Sequence, residues 1–301
     1  MEALLKWAVL NGATAGEDAP ARDSTQPPPQ ALDPAVLDVI LGKPASVQMT
    51  ECLDAVEHSE TPLEAREIAL DDLEMLVENI DNANNLEPLG LWPRLIKLFD
   101  SSQPSVRVGA LWVSGTAVQN NPNAQARFSS HDGLQSALRV LKDDSDSSAR
   151  AKALYCVSSC VRANVQGLTE LIGSNGLPIL MLAIENGTNG LRQKAFFLLR
   201  SLIEEAVDPE TAEELRPGMY LPNAIAEMGF VDATATALEE MADTDQGAGP
   251  AFEQAVGFLA ALCTTESGKQ AVSTCKPLRS AVSAAKNQFP GVETGELEGL
   301  L

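Results

Sequence analysis

The residues in this chain best suited to recognition chemistry are neutral amides, crowded at one recurring place. Asn79, Asn82, Asn84 and Asn85 form a first cluster, Gln119, Asn120 and Asn121 a second, and Arg162 with Asn164 a third. An amide donates and accepts hydrogen bonds at once, so a row of them suits a peptide backbone or a polar protein surface. Asparagine also tolerates the left-handed conformation that ends a helix, which is the competing use for any single one. Reactive groups are sparse. The two histidines, His58 and His131, stand in separate stretches, which argues against a histidine metal site and most nucleophile triads. No Gly-x-x-x-x-Gly-Lys-Ser/Thr phosphate loop occurs. Asp243-Thr244-Asp245 opens like a calcium loop, but Gln254 stands where its closing glutamate belongs; Asp144-Ser145-Asp146 fails likewise at Tyr155. The expectation is a binding protein, not an enzyme, with no cofactor.

The elements that position these amides repeat. Arg66/Ala69, Arg107/Ala110, Arg150/Ala153 and Arg192/Ala195 recur at alanine-to-alanine steps of 41, 43 and 42 residues. A fifth copy at Ala255 lacks the arginine and follows a longer gap. A second marker travels with the first at Gly90-Leu91, Gly133-Leu134, Gly176-Leu177 and Gly229-Phe230. Such periods with helical patterning predict armadillo or HEAT units, hence an all-α, armadillo-like helical solenoid wound as a right-handed superhelix. In the third unit Ala153, Leu154, Val157, Cys160 and Val161 make one apolar face. In the fourth, Ala195 to Leu199 is apolar nearly all round, which predicts a helix sandwiched inside. The shared arginine is expected to lay its stem along the preceding repeat and bond a carbonyl. The amides fall about ten to sixteen residues beyond the shared alanine. That is the C-terminal end of the inner helix and the turn after it.

Composition sets the boundaries. Residues 1–32 hold a short amphipathic stretch (Leu4, Leu5, Trp7, Val9) and then the Pro27-Pro28-Pro29 run with few large apolar side chains. That predicts a flexible N-terminal segment. Residues 33–65 read as an N-terminal helical cap, 66–287 as the repeats, and 288–301 as a frayed tail. The extra length after the fourth unit falls between Glu204 and Asn223, with Pro209, Pro217 and Pro222, and predicts an extended loop. Asp243 to Pro250 reads as another loop. The formal net charge is −21, which argues against nucleic acid and anionic membranes as partners. Five cysteines, an odd number in a chain without Cys-x-x-Cys, predict buried free thiols in a reducing compartment. No apolar run approaches a membrane span, so a cytoplasmic, monomeric protein is expected.

The segment Asp72 to Leu86 (DLEMLVENIDNANNL), followed by Leu89-Gly90-Leu91-Trp92, is distinctive. With Gly115-Thr116-Ala117-Val118-Gln119-Asn120-Asn121-Pro122 and the opening Met1-Glu2-x-Leu4-Leu5-x-Trp7, it resembles the Fes-type, heat-shock-protein-binding family of armadillo exchange factors. The resemblance covers the opening and most of residues 33 to 285. It implies a solenoid whose concave face embraces the second lobe of the nucleotide-binding domain of the seventy-kilodalton heat-shock chaperone. Such binding speeds ADP loss and client release. By the same resemblance residues 1–32, with Leu4, Leu5 and Trp7, form a client-release segment. Matched position by position, the partner contacts are Asn82, Ala83, Asn84, Asn85, Gln119, Asn120, Arg162 and Lys194, with Ala83 small to permit close approach and the two cations facing carboxylates. The alternative is a general armadillo adaptor. The Trp-x-x-x-Asn ladder of carriers for basic peptides is absent, since Trp112 is followed by Thr116.

Overall fold

The computed structural model describes residues 42–207, 221–243 and 247–299. It divides into two compact units, residues 1–49 and 50–301. The first contributes residues 42–49 to the description, where Gly42 has a φ of 70° and Ala45 opens helix α1 (Ala45–Glu57). The start of the helical cap expected over residues 33–65 lies outside the described residues, as do Leu4, Leu5 and Trp7.

The second unit is a threefold alternation of long, short and medium helices. The long ones are α2 (Leu63–Val77), α5 (Pro104–Val118), α8 (Ser147–Val161), α11 (Asn189–Val207) and α14 (Gly249–Leu262). Each is followed by a short helix: α3 (Ile80–Asn85), α6 (Pro122–Ser130), α9 (Val165–Gly173), α12 (Leu221–Glu227) and α15 (Glu266–Thr274). The medium helices are α4 (Leu91–Lys97, running into a 3-10 turn to Asp100), α7 (Gly133–Asp143), α10 (Gly176–Glu185), α13 (Phe230–Asp243) and α16 (Lys276–Gln288). A last turn, α17 (Gly295–Glu298), ends the described chain. The long helices pack in one row, α2 on α5, α5 on α8, α8 on α11 and α11 on α14. The medium helices α7, α10, α13 and α16 pack in a second. Each shared alanine is buried between neighbours: Ala110, Ala153, Ala195 and Ala255 are fully covered and Ala69 nearly so. No strand occurs among the described residues.

The shared arginines do what their spacing predicts. Arg66 donates to the carbonyls of His58, Ser59 and Thr61 at 2.9–3.0 Å, Arg107 to Ser101 at 2.8 Å and Arg150 to Leu141 at 3.0 Å. Arg192 donates to Ile184 at 2.8 Å and Glu185 at 3.1 Å. The carbonyls at a helix C-terminus have no intrahelical donor and carry partial negative charge, so a guanidinium there supplies both hydrogen bonds and charge. Two of these arginines also reach the next repeat: Arg107 grips Asp144 with Nε and Nη2 at 2.6 and 2.7 Å, and Arg192 pairs with Glu240.

Four features differ from expectation. The glycine marker hides two roles. Gly90 and Gly229 take the left-handed conformation before a medium helix, whereas in the middle repeats Asp132 and Asn175 take it one residue earlier. Gly133 and Gly176 then serve close packing, since a Cβ at Gly133 would lie 2.3 Å from Phe128. Helix α11 is not sandwiched on all sides: Phe197 is 42% exposed. The insertion is shorter than composition suggests, because α11 runs to Val207 and α12 starts at Leu221; residues 208–220 lie outside the description. The described part of the tail packs on the last repeat. Leu297 and Thr294 are buried, α17 packs on α14, and the Phe289 ring lies 6.0 Å from that of Phe252. Its two apolar anchors are Phe289 and Leu297.

Candidate functional site

The row of long helices buries one side of each helix and exposes the other. Counting from the shared alanine, residues two positions on fall on that exposed side. They are Asp71, then three aromatics in successive repeats, Trp112, Tyr155 and Phe197, then Gly257. The residue just before the alanine is Lys152 in the third repeat and Lys194 in the fourth. Lys152 Nζ stands 3.6 Å over the centroid of the Trp112 ring and 5.7 Å from that of Tyr155. Burial pulls the Lys152 ammonium below the usual lysine range; Lys194 pushes the same way, while Glu74 and Asp71 oppose it. A cation on a half-covered aromatic face is already partly dehydrated, so a partner carboxylate meets it at lower cost.

Polar side chains join the helices across this face. Thr116 donates to Glu74 Oε1 at 2.7 Å and lies 3.3 Å from the Tyr155 hydroxyl. Tyr155 donates to Gln119 Oε1 at 3.4 Å. The close approach needs Gly115, where a Cβ would lie 2.5 Å from the Tyr155 ring. Further along, the Arg162 guanidinium lies 5.1 Å over Phe197 and its Nε is 3.9 Å from Glu205 Oε1. Burial raises the Glu205 carboxyl above its ordinary range, against the pull of the Ala163 N–H and Arg162. Between the N-terminal halves of α2 and α5 runs a groove of about 460 Å3. Its floor is Leu70, Val108 and Trp112, and its rim is Glu67, Asp71 and Asp146.

The amides predicted to form one rim separate into three uses. Asn79, Asn121 and Asn164 are N-caps: their side chains accept from backbone N–H groups of α3, α6 and α9. Asn82 donates Nδ2 to the Leu76 carbonyl at 2.9 Å and so closes the end of α2. Asn120 is exposed with a φ of 52°, a left-handed helix end. Gln119 is exposed and joins the Tyr155 network, while Asn84 and Asn85 are half-buried on α3. Ala83 is not at the surface. It is 1% exposed and lines a cavity walled by α3, α4 and α6. Arg162, at the C-terminal cap of α8, and Lys194, on α11, are exposed. The structure thus brings together Gln119, Arg162 and Lys194 with Trp112, Lys152, Tyr155 and Phe197. The last four were not among the predicted contacts. The three aromatics were signalled in the sequence by their one register position in three successive repeats, and Lys152 by its place, like that of Lys194, just before the shared alanine.

The thiols are quiet. Burial pushes Cys160 up to about 12 and Cys275 up to about 11, and raises Cys156 as well. Among the described residues no three His, Cys, Asp or Glu side chains cluster as a metal site needs. Nor is any single described helix long and apolar enough to cross a membrane.

Comparison with known proteins bears on this surface. The family described as nucleotide exchange factor Fes1 matches residues 1–86, and the SIL1/FES1/HPBP1 C-terminal domain matches residues 82–218. The Hsp70 nucleotide exchange factor fes1 of Schizosaccharomyces pombe is 32% identical, over 92% of this chain and 92% of its own. That of Kluyveromyces lactis is 36% identical over 68% of this chain and 71% of its own. Among solved structures, an engineered protein aligns with a TM-score of 0.59 at 15% identity, over 82% of this chain and 99% of its own. A designed armadillo repeat protein aligns at 0.58 and 15% identity, over 84% and 96%. At that identity the structural likeness speaks for the fold alone, an armadillo-like solenoid. The sequence likeness, running nearly end to end in the fission-yeast relative, says more: this chain belongs to the Fes1 family of nucleotide exchange factors.

Proposed function

We propose that the protein is a nucleotide exchange factor for the cytoplasmic seventy-kilodalton heat-shock chaperone. The exposed side of the long helices docks on the second lobe of the chaperone's nucleotide-binding domain as a monomer. The complex favours an open domain, ADP leaves, ATP enters and client is released. No bond is made or broken by the exchange factor itself. The action is linkage: a protein that prefers the open, nucleotide-poor domain weakens ADP by the same factor by which ADP weakens it. A thousandfold effect needs about 4 kcal/mol of differential affinity. A broad interface with a few buried aromatic and cationic anchors is able to supply that.

The observation that carries this reading is membership of the exchange-factor family in a chain whose long helices expose a continuous aromatic and cationic stripe. Trp112, Lys152, Tyr155 and Phe197 are the proposed anchors. Gln119, Asn120, Arg162 and Lys194 are the polar contacts around them, with Asn82, Ala83, Asn84 and Asn85 supporting the neighbouring edge. Residues 1–32, through Leu4, Leu5 and Trp7, act on client rather than on nucleotide.

The test is release of a labelled ADP analogue from the chaperone in the presence of the purified protein. Acceleration is expected, and unchanged release at saturating protein refutes the reading. Deletion of residues 1–32 is expected to spare ADP release and impair client release.

A further inference from the structure

The groove between α2 and α5 sets an apolar floor beneath an acidic rim. It opens to solvent. Asp71 and Pro104 at its edge are exposed, and Glu67, Val108 and Trp112 are half-buried, so a side chain from outside reaches both floor and rim. Apolar surface continues beyond the groove on α2. Ile68 and Met75 stand three residues before and four after Asp71, which puts them on its side of the helix, and they are 54% and 68% exposed. The rim carboxylates differ in what they already do. Asp146 caps α8, accepting from the Ala149 N–H at 2.8 Å. Glu67 and Asp71, one helical turn apart, have no ion pair or side-chain hydrogen bond among the described residues. No lysine or arginine lines the groove. Arg66 and Arg107, on the same two helices, are committed to carbonyls and, for Arg107, to Asp144. Lys152, over the Trp112 ring, is one positive charge against three carboxylates.

The complement of this groove is a side chain that is apolar along its length and cationic at its tip. A water, a hydroxyl or a bare metal ion meets the carboxylates but leaves the floor wet. An aliphatic side chain covers the floor but strips water from the carboxylates and gives nothing back. Lysine and arginine lay their methylene stems on apolar surface and keep the charge at its margin. An indole in the floor adds the attraction of an aromatic ring for a cation. Trp112 belongs both to this floor and to the proposed docking stripe, so the occupant comes with the same partner.

We infer that the groove seats one basic side chain, lysine or arginine, of the chaperone's nucleotide-binding domain. Its stem lies over Leu70, Val108 and Trp112, its cation pairs with Glu67 and Asp71, and an apolar neighbour on the chaperone covers Ile68 and Met75. The inference rests on the exchange-factor reading above.

The test is calorimetric titration of the full chain with the nucleotide-free nucleotide-binding domain of the chaperone, at low and at physiological salt. The rim variant Glu67→Gln with Asp71→Asn is expected to bind about tenfold more weakly, with a smaller loss at the higher salt. The control Glu64→Gln with Asp72→Asn removes the same charge from exposed positions of α2 outside the groove, and is expected to bind within twofold of the parent. A photo-crosslinking p-benzoylphenylalanine at Ser148, an exposed residue of the groove wall, then finds the occupant. It is expected to mark a chaperone segment that carries a lysine or arginine. Replacing that residue by methionine is expected to weaken the parent complex about tenfold and to add nothing to the loss in the rim variant. The groove assignment alone is overturned by a rim variant within twofold of the parent, by a control weakened as much as the rim variant, or by a cross-link to this chain or to a chaperone segment without a basic residue. Failure of the parent chain to bind the chaperone domain at all overturns the exchange-factor reading, and the groove assignment with it.

Discussion

Trp112→Ala removes the platform on which the proposed interface is centred. The ring is half-buried in the free protein, carries Lys152 Nζ at 3.6 Å and forms part of the floor of the groove between α2 and α5. Truncation strips aromatic area from the docking face and frees the ammonium to swing into water. A buried aromatic anchor contributes about 2 kcal/mol or more to an interface, which is about thirtyfold in Kd. The cation–π share of that is about 1 kcal/mol for a partly dehydrated lysine. Hence Lys152→Ala alone is expected to cost about fivefold. The pair is coupled: once Trp112 is gone, removing Lys152 costs little more, leaving a coupling energy of about 1 kcal/mol in the double-mutant cycle. Trp112→Phe keeps an aromatic face and falls between parent and alanine. The assay is calorimetric titration of the parent and the four variants into the nucleotide-free chaperone domain, with circular dichroism to check that the helices persist. The reasoning is refuted if Trp112→Ala binds within twofold of the parent, or if the two losses simply add.

Three further outcomes follow from the frame that holds this face. Arg192→Met keeps the aliphatic stem but leaves the Ile184 and Glu185 carbonyls without their donor and Glu240 without its cation; at 5% exposure the loss is about 2–3 kcal/mol, read as a lower urea midpoint. Ala163 has a φ of 49°, a conformation that costs an L-residue about 1–2 kcal/mol, and Asn120 fills the equivalent place one repeat earlier; Ala163→Asn is therefore expected to raise stability by about 0.5–1 kcal/mol in the same assay. Burial would raise the Asp144 carboxyl, but the Arg107 guanidinium and the Asp146 N–H hold it below the ordinary range. Its contribution is thus complete above the unfolded value near ~4 and is lost as pH falls through the lower folded value. Asp144→Asn should flatten that acid limb of the stability profile while lowering the plateau above it, and an unchanged limb would show that Arg107 does not set it.

Much of this was legible because a solenoid repeats its environments. Arg66, Arg107, Arg150 and Arg192 share one neighbourhood, the carbonyl end of the preceding segment, so four copies at a fixed offset announce both the period and the task. The amides misled for a related reason. They stand where a long helix gives way to a short one, and at that junction the backbone itself demands acceptors and a left-handed residue. Asn79, Asn121 and Asn164 met the first demand and Asn120 the second. Local backbone satisfaction therefore accounts for three of the amides, and the turn conformation for a fourth. The burial of Ala83 was not legible, because it depends on α3 packing against α5 and α6 of the next repeat. The folded tail was hidden similarly, its order coming from Leu297 and Phe289 meeting a distant helix.

Repetition also explains where recognition must sit. A residue that recurs unchanged in every unit performs a task common to every unit, and that task is packing or capping. A partner without the same period is read by positions that share an exposed orientation but differ in chemistry. Two positions past the shared alanine the chain offers Asp71, Trp112, Tyr155, Phe197 and Gly257, and just before it Ile68, Gly109, Lys152, Lys194 and Gln254. Charge therefore changes sign along the row, from the acids Glu67 and Asp71 on α2 to the lysines on α8 and α11, with Trp112 on α5 between and Tyr155 and Phe197 beside the lysines. In a chain of net charge −21, that local reversal is worth more as orientation than as affinity. A docking partner turned end for end would set its own charges against like charges at both ends of the stripe. In the proposed complex the gradient fixes which way along the solenoid the chaperone lies, and the aromatic centre determines how tightly it is held.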